Sequence, residues 1–129
     1  MMIAIVDDIE INLKLTKSVL QFYGFSDIYT YISPKDALLD FSQSIIPQIL
    51  ITDFRMPEMN GVELINQTQK LNPDIIAIII SGDIKMLPVE ATQFILIEKG
   101  SPDFFKRLRE ILKQEIENIA GPKNILTHY

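Results

Sequence analysis

Four short runs of apolar residues constrain the fold of this 129-residue chain more than any other feature of its sequence. The runs cover residues 3–6, 49–52, 75–80 and 94–97 and are rich in isoleucine. They lack the alternation of polar and apolar residues that a half-exposed strand shows, so they predict strands buried on both faces of a parallel sheet. A weaker and more polar stretch, residues 26–32, fits an edge strand of the same sheet.

Stretches with helical capping signals separate these runs. Leu15, Val19 and Tyr23 form an apolar stripe on the first predicted helix. The remaining signals are helix starts and stops at Gly24, Ser33-Pro34, Asn60-Gly61, Ser101-Pro102 and Gly121-Pro122. Because strands and helices alternate five times, the pattern predicts a single α/β domain with an open, doubly wound sheet. We assign residues 1–121 to this domain and residues 122–129 to a C-terminal tail.

Composition excludes several classes of function. The chain has 12 basic and 17 acidic residues and a net charge of −5, which disfavours nucleic acid as a partner. Four basic residues of the last helix are interspersed with acids, so we interpret that surface as a solvated helix face. There is no cysteine and a single histidine, His128, which excludes thiolate chemistry, histidine metal clusters and a Ser-His-Asp triad.

The sequence also gives an expectation for the cellular compartment. It has no apolar run of about 20 residues and no secretory leader, so we expect a cytoplasmic protein without a membrane partner. Its chemistry must then come from carboxylates, hydroxyls and amines.

Charged and polar side chains follow the predicted strands at the points where the strands end. Asp7 and Asp8 follow the first strand, and Asp53 follows the third. Ser81 follows the fourth strand and Lys99 the fifth. Ligands of doubly wound sheets bind at the carboxyl ends of the strands, so we expect these side chains to meet at one edge of the sheet.

The residue types in this group fit phosphoryl chemistry on a carboxylate. Three crowded carboxylates repel one another, and Mg²⁺, which prefers oxygen ligands, relieves that repulsion. A carboxylate beside such an ion can attack a phosphoryl group and form an aspartyl phosphate. An ammonium and a hydroxyl can then neutralise and orient the phosphoryl oxygens. Each residue taken alone fits an ordinary turn or surface position, so the joint placement indicates the site.

These residues resemble the receiver domain of two-component response regulators over nearly the whole chain. The likeness rests on four motifs in order, namely Val6-Asp7-Asp8-Ile9-Glu10-Ile11-Asn12, Asp53-Phe54-Arg55-Met56-Pro57-Glu58-Met59-Asn60-Gly61, Ser81-Gly82 and Lys99. The second motif is the most specific of the four. The resemblance implies a flavodoxin-like, five-stranded parallel sheet with strand order 2-1-3-4-5, and a phosphoprotein of bacterial phosphorelay signalling.

The resemblance also implies how the acidic residues act. Asp53 is the expected phosphoacceptor, with a phosphohistidine on a sensor histidine kinase or histidine phosphotransfer protein as donor. Asp8, Asp53 and the backbone carbonyl of Arg55 are expected to bind Mg²⁺, with Asp7 acting directly or through a water. The chain is then not an enzyme in the usual sense, although it catalyses its own Mg²⁺-dependent phosphorylation and dephosphorylation. The downstream protein partner is left open.

The remaining implied roles concern the phosphoryl group after transfer. Ser81 and Lys99 are expected to contact its oxygens, and Leu96 occupies the position where the family usually has an aromatic switch residue. Arg55 and Asp83 flank the mouth of the pocket, and we predict that they pair and lengthen the lifetime of the phosphoryl group.

Two further departures from the family lie beyond Ser81. Gly100 follows Lys99 where proline is usual, so we predict a trans bond between them, with Gly100 supplying the backbone freedom for the next turn. Only residues 82–93 are available for the fourth helix, and they include Pro88. We therefore predict a fourth helix that is short, irregular or absent.

Two alternative functions compete with the interpretation as a phosphorylation switch. The first is a receiver-like scaffold that binds partners without phosphorylation, and incorporation of phosphate from acetyl phosphate separates it from a switch. The second is a phosphohydrolase of the haloacid-dehalogenase type, which needs Asp-x-Asp after the first strand. Ile9 follows Asp8 here, so that motif is missing.

Overall fold

The computed structural model describes the backbone of residues 1–127 and the side chains of residues 1–119. Its strands are β1 (Ile3–Val6), β2 (Ile28–Tyr31), β3 (Ile49–Asp53), β4 (Ile76–Ser81) and β5 (Ile95–Glu98). Its α-helices are α1 (Glu10–Phe22), α2 (Pro34–Gln43), α3 (Gly61–Leu71) and α4 (Phe104–Thr127). Two 3₁₀ helices, Ile84–Met86 and Val89–Gln93, lie between β4 and β5.

All strand pairs are parallel, and the strand order is β2-β1-β3-β4-β5. This confirms the predicted doubly wound, flavodoxin-like sheet. In the central register Val6 lies opposite Thr52, so that the ends of β1 and β3 reach the same level. The sequence placed each strand correctly and missed several strand ends by one or two residues.

Both faces of the sheet are apolar because successive strand residues point to opposite sides. On β1, Ile3 and Ile5 pack with the cluster under α1 and α4, whereas Ala4 and Val6 pack with the cluster under α2 and α3. All four are at most 2% exposed. This two-sided burial explains why the strands read as continuous apolar runs and show no alternation.

The segment between β4 and β5, where the sequence predicted a short or irregular fourth helix, forms no α-helix, which confirms that prediction. The label α4 therefore belongs to the last helix of the chain. The Asp83 carboxylate accepts a hydrogen bond from the Lys85 N–H and caps the first 3₁₀ helix. Pro88 begins the second one in an extended conformation, with φ of −66°. Proline lacks an amide proton, so it limits how far a helix can extend through this short segment.

Two sequence predictions about helices are wrong. The buried face of α1 carries Leu13, Thr16 and Leu20, and Leu15 is 51% exposed. Tyr23, the last residue of the predicted stripe, does pack against the cluster under α1 and α4, so the prediction is wrong at Leu15 and not at Tyr23.

The second wrong prediction is the end of the last helix. α4 continues to Thr127 through Gly121 and Pro122. The backbone stays helical through this pair although proline removes one helical hydrogen bond. The division into a domain of residues 1–121 and a tail of residues 122–129 stays a prediction.

A close backbone contact fixes the loop after β3. A Cβ atom at Gly61 would lie 2.6 Å from the Asp53 carbonyl oxygen, closer than real Cβ contacts. The Gly61 N–H also donates a hydrogen bond to the Phe54 carbonyl at 2.8 Å. Asn60 and Glu63 complete this turn as a reciprocal capping box. The loop therefore returns tightly onto the end of the strand that carries Asp53.

We predict that Gly61→Ala lowers the free energy of unfolding by about 1–3 kcal/mol, because the new methyl group must displace backbone. Urea unfolding measures this change. The matched control is Gly82→Ala, where an added Cβ meets no atom within 4 Å. That variant is expected to be neutral or slightly stabilised. Equal stability of the two variants would show that the contact at Gly61 does not constrain the loop.

Candidate functional site

The carboxyl ends of three strands bring together the charged residues that the sequence singled out. Asp7 directly follows β1, Asp53 is the last residue of β3, and Lys99 directly follows β5. The Lys99 N–H donates a hydrogen bond to the Ser81 carbonyl at 2.8 Å, which continues the ladder between β4 and β5. The parallel topology thus delivers each side chain to one edge of the sheet.

Lys99 bridges two buried carboxylates. Its Nζ lies 3.0 Å from Asp53 Oδ2 and 3.3 Å from Asp7 Oδ2. Asp7 is 7% exposed and Asp53 is 9% exposed, so both carboxylates have lost most of their hydration. The other oxygen of Asp7 accepts a hydrogen bond from the Ile9 N–H at 2.9 Å, which fixes the carboxylate at the start of α1.

This arrangement leaves excess negative charge at the site. Burial raises the pKa of the Asp53 carboxyl, the hydrogen bond and charge of Lys99 partly offset that rise, and the charge of Asp7 adds to it. Burial acts to lower the pKa of Lys99, yet Asp53 and Asp7 together outweigh burial and raise it. Lys99 therefore stays protonated, and one ammonium faces two carboxylates.

The same edge of the sheet suits a hard cation. Asp7, Asp8 and Asp53 each offer a carboxylate oxygen, and these three oxygens lie within 4.8 Å of one another. Asp8 is more exposed than the other two and lies toward solvent. Carboxylate oxygens are the ligands that Mg²⁺ prefers, so the donor set fits the predicted ion.

Three other predicted site residues lie in three different elements of the fold. Ser81 is 4% exposed at the end of β4, next to the strand that leads to Lys99. Leu96 is half-buried in β5 and packs against the cluster under α2 and α3. Arg55 is exposed in the loop after β3.

The predicted ion pair between Arg55 and Asp83 is not formed among the described side chains. The Asp83 carboxylate instead caps the Lys85 N–H within its own segment. A local hydrogen bond of this kind needs less ordering than a contact between two loops, and the exposed pair has little energy to offer in exchange.

The backbone after Lys99 matches its prediction. The bond between Lys99 and Gly100 is trans, and Gly100 adopts a φ of +80°, in the left-handed region that favours glycine. The chain then turns through Ser101, whose hydroxyl contacts the Asp103 carboxylate, into α4. Lys99 reaches Asp53 without the proline that the family usually has at this position.

Sequence reasoning missed a cavity that extends from the acidic residues between α1 and α4. Its volume is about 370 Å³, and Asn12, Leu15 and Thr16 line it from α1. Phe104 and Phe105 line it from the start of α4. These segments are far apart in the sequence, so no local pattern could have revealed the cavity.

No helix in the described part of the chain is long and apolar enough to cross a membrane.

Comparisons with known proteins agree with this geometry. A family model for the response regulator receiver domain matches residues 3–104. The transcriptional regulatory protein FixJ of Rhizobium meliloti is 34% identical over 105 residues, which make up 80% of this chain and 48% of FixJ. The chain thus spans about half the length of this curated relative.

Two solved structures resemble the whole fold. A two component transcriptional regulator AraC from Clostridium phytofermentans superposes with a TM-score of 0.78 and 27% identity, covering 96% of this chain and 98% of that one. The response regulator TrrA from Thermotoga maritima, solved with Mg²⁺ and a beryllium fluoride, has a TM-score of 0.76 and 25% identity. That match covers 88% of this chain and 98% of TrrA.

We predict that Asp53→Asn stabilises the protein at neutral pH in the absence of divalent ions. A raised pKa means that ionised Asp53 is less favourable in the folded chain than in the unfolded one, so this carboxylate costs stability above its unfolded pKa. Asparagine removes that cost, so urea unfolding should show a higher free energy of unfolding than in the wild type.

The matched control for this variant is Asp74→Asn, an exposed aspartate outside the site, which should change stability by less than about 0.5 kcal/mol. Adding Mg²⁺ should stabilise the wild type and the control more than Asp53→Asn. A loss of stability in Asp53→Asn without Mg²⁺ would contradict the excess of negative charge at the site.

Proposed function

Because the chain belongs to the family of response regulator receiver domains, in which phosphorylation-based switching is general, we propose that Asp53 accepts a phosphoryl group. The observation that carries this proposal is the 3.0 Å contact between Lys99 Nζ and Asp53 Oδ2. Asp7 and Asp8 lie beside that carboxylate and offer further oxygen ligands for an ion. The proposed donor is a phosphohistidine on a sensor histidine kinase or a histidine phosphotransfer protein.

The proposed transfer is a single displacement at phosphorus. A carboxylate oxygen of Asp53 attacks the phosphorus, an oxygen–phosphorus bond forms, and the nitrogen–phosphorus bond of the donor breaks. The donor nitrogen keeps the bonding electron pair. In hydrolysis a water attacks the same phosphorus, the bond between the Asp53 oxygen and phosphorus breaks with its electron pair left on the carboxylate, and inorganic phosphate leaves. The chain thus acts as a switch that promotes its own modification and its own reset.

Each neighbouring residue has a task in this proposal. Lys99 neutralises the phosphoryl oxygens, and the Ser81 hydroxyl donates a hydrogen bond to them. Asp8, Asp53 and the backbone carbonyl of Arg55 would hold Mg²⁺, with Asp7 directly or through a water. The ion would supply positive charge where negative charge develops in the transition state.

The proposed switch works through the redistribution of Lys99. In the unmodified chain its ammonium is divided between Asp53 and Asp7. A phosphoryl group on Asp53 offers three more acceptor oxygens, so the ammonium moves toward them and β5 follows. Leu96 has no hydroxyl to form a new hydrogen bond, so we propose that the main response occurs in residues 82–93.

Exposed apolar residues lie at the start of α1, beside the site. Ile9 is 48% exposed and Ile11 is 70% exposed, although both are large apolar residues. The Ile9 N–H is bonded to the Asp7 carboxylate, so this apolar surface adjoins the reacting group. We propose that Ile9 and Ile11 contact the protein that carries the phosphohistidine.

The partner downstream is proposed to be a protein. FixJ is named a transcriptional regulatory protein, and this chain covers only 48% of its length. The net charge of −5 disfavours direct contact with nucleic acid, so we propose that the switch acts through protein contacts. We propose a cytoplasmic location for it.

We predict that acetyl phosphate with Mg²⁺ adds one phosphoryl group to the chain, as measured by intact mass spectrometry. Asp53→Asn should abolish the gain, because a neutral carboxamide is a much weaker nucleophile than a carboxylate. Asp74→Asn, an exposed aspartate, is the control and should behave like the wild type. A wild-type chain that gains no mass would support the scaffold that binds partners without phosphorylation.

We predict that Ile11→Ser slows phosphorylation by a histidine kinase at least about tenfold and leaves phosphorylation by acetyl phosphate unchanged. A small donor makes no contact with α1, so only the protein donor should respond. Leu39→Ser on α2 is the matched control, because Leu39 is 57% exposed and remote from the site. Equal slowing with both donors would show that Ile11 acts on the reaction instead of on docking.

We also predict that Arg55→Ala and Asp83→Ala each shorten the lifetime of phosphorylated Asp53, measured by the loss of the added mass after the donor is removed. If the two side chains pair once phosphate is present, the double variant should decay no faster than either single variant. Additive effects would show that the two residues act independently on the attacking water.

A further inference from the structure

We propose that the cavity between α1 and α4 is a binding site for a small organic amine with an apolar, ring-sized body. Its volume of about 370 Å³ falls within the range of about 300–1,000 Å³ that is typical of ligand sites. Nothing in the proposed phosphoryl transfer uses most of this space, because the phosphoryl group occupies only the acidic end. The inference does not require phosphorylation of Asp53.

Much of the cavity wall is apolar. Ile5, Ile51 and Ile80 line it from three neighbouring strands and are at most 5% exposed. Phe104 and Phe105 lie at the start of α4 with ring centroids 4.9 Å apart in an edge-to-face arrangement. A hydrocarbon body in the cavity would therefore contact both aliphatic and aromatic groups.

One polar side chain in the wall has no hydrogen-bond partner among the described protein groups, and its hydroxyl is not fully enclosed. Asn12, Leu15 and Thr16 line the cavity from one face of α1, as their spacing of three and four residues requires. Thr16 is 8% exposed. Within the described residues, the hydroxyls of Thr52 and Thr68 donate to backbone carbonyls, whereas Thr16 makes no side-chain hydrogen bond. A bound ligand can complete that hydrogen bond.

The charged end of the cavity selects for a cation. The lining contains two carboxylates, Asp7 and Asp53, and one ammonium, Lys99, and its other residues are uncharged. One carboxylate charge therefore remains unbalanced beside the apolar walls. A ligand ammonium supplies the second positive charge and donates hydrogen bonds to the carboxylate oxygens. Mg²⁺ held by Asp7, Asp8 and Asp53 would supply the same charge, so the amine and the ion should compete.

The mouth of the cavity gives a ligand access. Leu15 lines the cavity and is 51% exposed, so the opening lies along the outer side of α1. The opposite rim is the turn from Gly100 to Pro102. A Cβ at Gly100 would meet no atom within 4 Å, so this rim borders open space.

The test is a titration of the full chain, followed by ¹H–¹⁵N NMR without any phosphoryl donor. The probes are 2-phenylethylamine and 3-phenylpropionate, which share a ring and a similar length and carry opposite charges. We expect saturable shifts at the amides of Leu15, Thr16 and Phe104 with the amine, and a dissociation constant of about 1 mM or weaker for so small a probe. The carboxylate should bind at least about tenfold more weakly.

Two variants and one ion locate the site. Leu15→Trp should reduce binding of the amine at least about fivefold by filling the mouth, whereas Leu39→Trp, on a similarly exposed leucine of α2, should not. Thr16→Val keeps the shape and removes the hydroxyl, so it should weaken binding without unfolding the chain. Mg²⁺ should compete with the amine, so the apparent dissociation constant of the amine should rise as the Mg²⁺ concentration increases.

Equal binding of both probes, shifts confined to another surface, or binding that Mg²⁺ and Leu15→Trp leave unchanged would each overturn the proposal. Because the readout is binding alone, it is separate from the mass gain that tests Asp53 as phosphoacceptor. A chain that binds the amine and fails to gain a phosphoryl group would retain this inference and lose the proposed function.

Discussion

Two carboxylates, Asp7 and Asp53, lie buried at one edge of the sheet, and the Lys99 ammonium between them makes that burial tolerable. Moving an ionised carboxylate out of water costs several kcal/mol unless a partner compensates it. Burial raises the pKa of Asp53, and one ammonium shared between two carboxylates offsets that rise only in part. The site therefore carries more negative than positive charge, and a divalent ion or an organic cation can balance the difference.

The topology of the sheet explains why this cluster can exist at all. Asp7, Asp53 and Lys99 are separated by 46 residues at each step, yet parallel strands place all three at one edge. The apolar clusters on both faces hold the strands in register. The loop after β3 turns back at Gly61, where it packs closely against the Asp53 backbone carbonyl. The acidic group thus lies at the end of a well-packed sheet, and residues 82–93 form two 3₁₀ helices in place of an α-helix.

Much of this could be predicted from the sequence, because the decisive patterns are local. Uniformly apolar runs identified the strands, and the residues after each run identified the charged group. The predictions failed where tertiary packing decides between local alternatives. Leu15 fits an apolar stripe but lies outside the buried face of α1, and Pro122 fits a helix stop but lies within α4. The pair of Arg55 and Asp83 and the cavity beside Thr16 depend on how distant segments meet, which no local pattern encodes.

The most direct test of this account is a crystal structure of the chain with Mg²⁺ and beryllofluoride, an unreactive analogue of the phosphoryl group. The account predicts an adduct on the Asp53 carboxylate, with the ion held by the acidic group and Lys99 turned from Asp7 toward the adduct. An unmodified Asp53 that keeps its 3.0 Å contact with Lys99 at saturating beryllofluoride would contradict it.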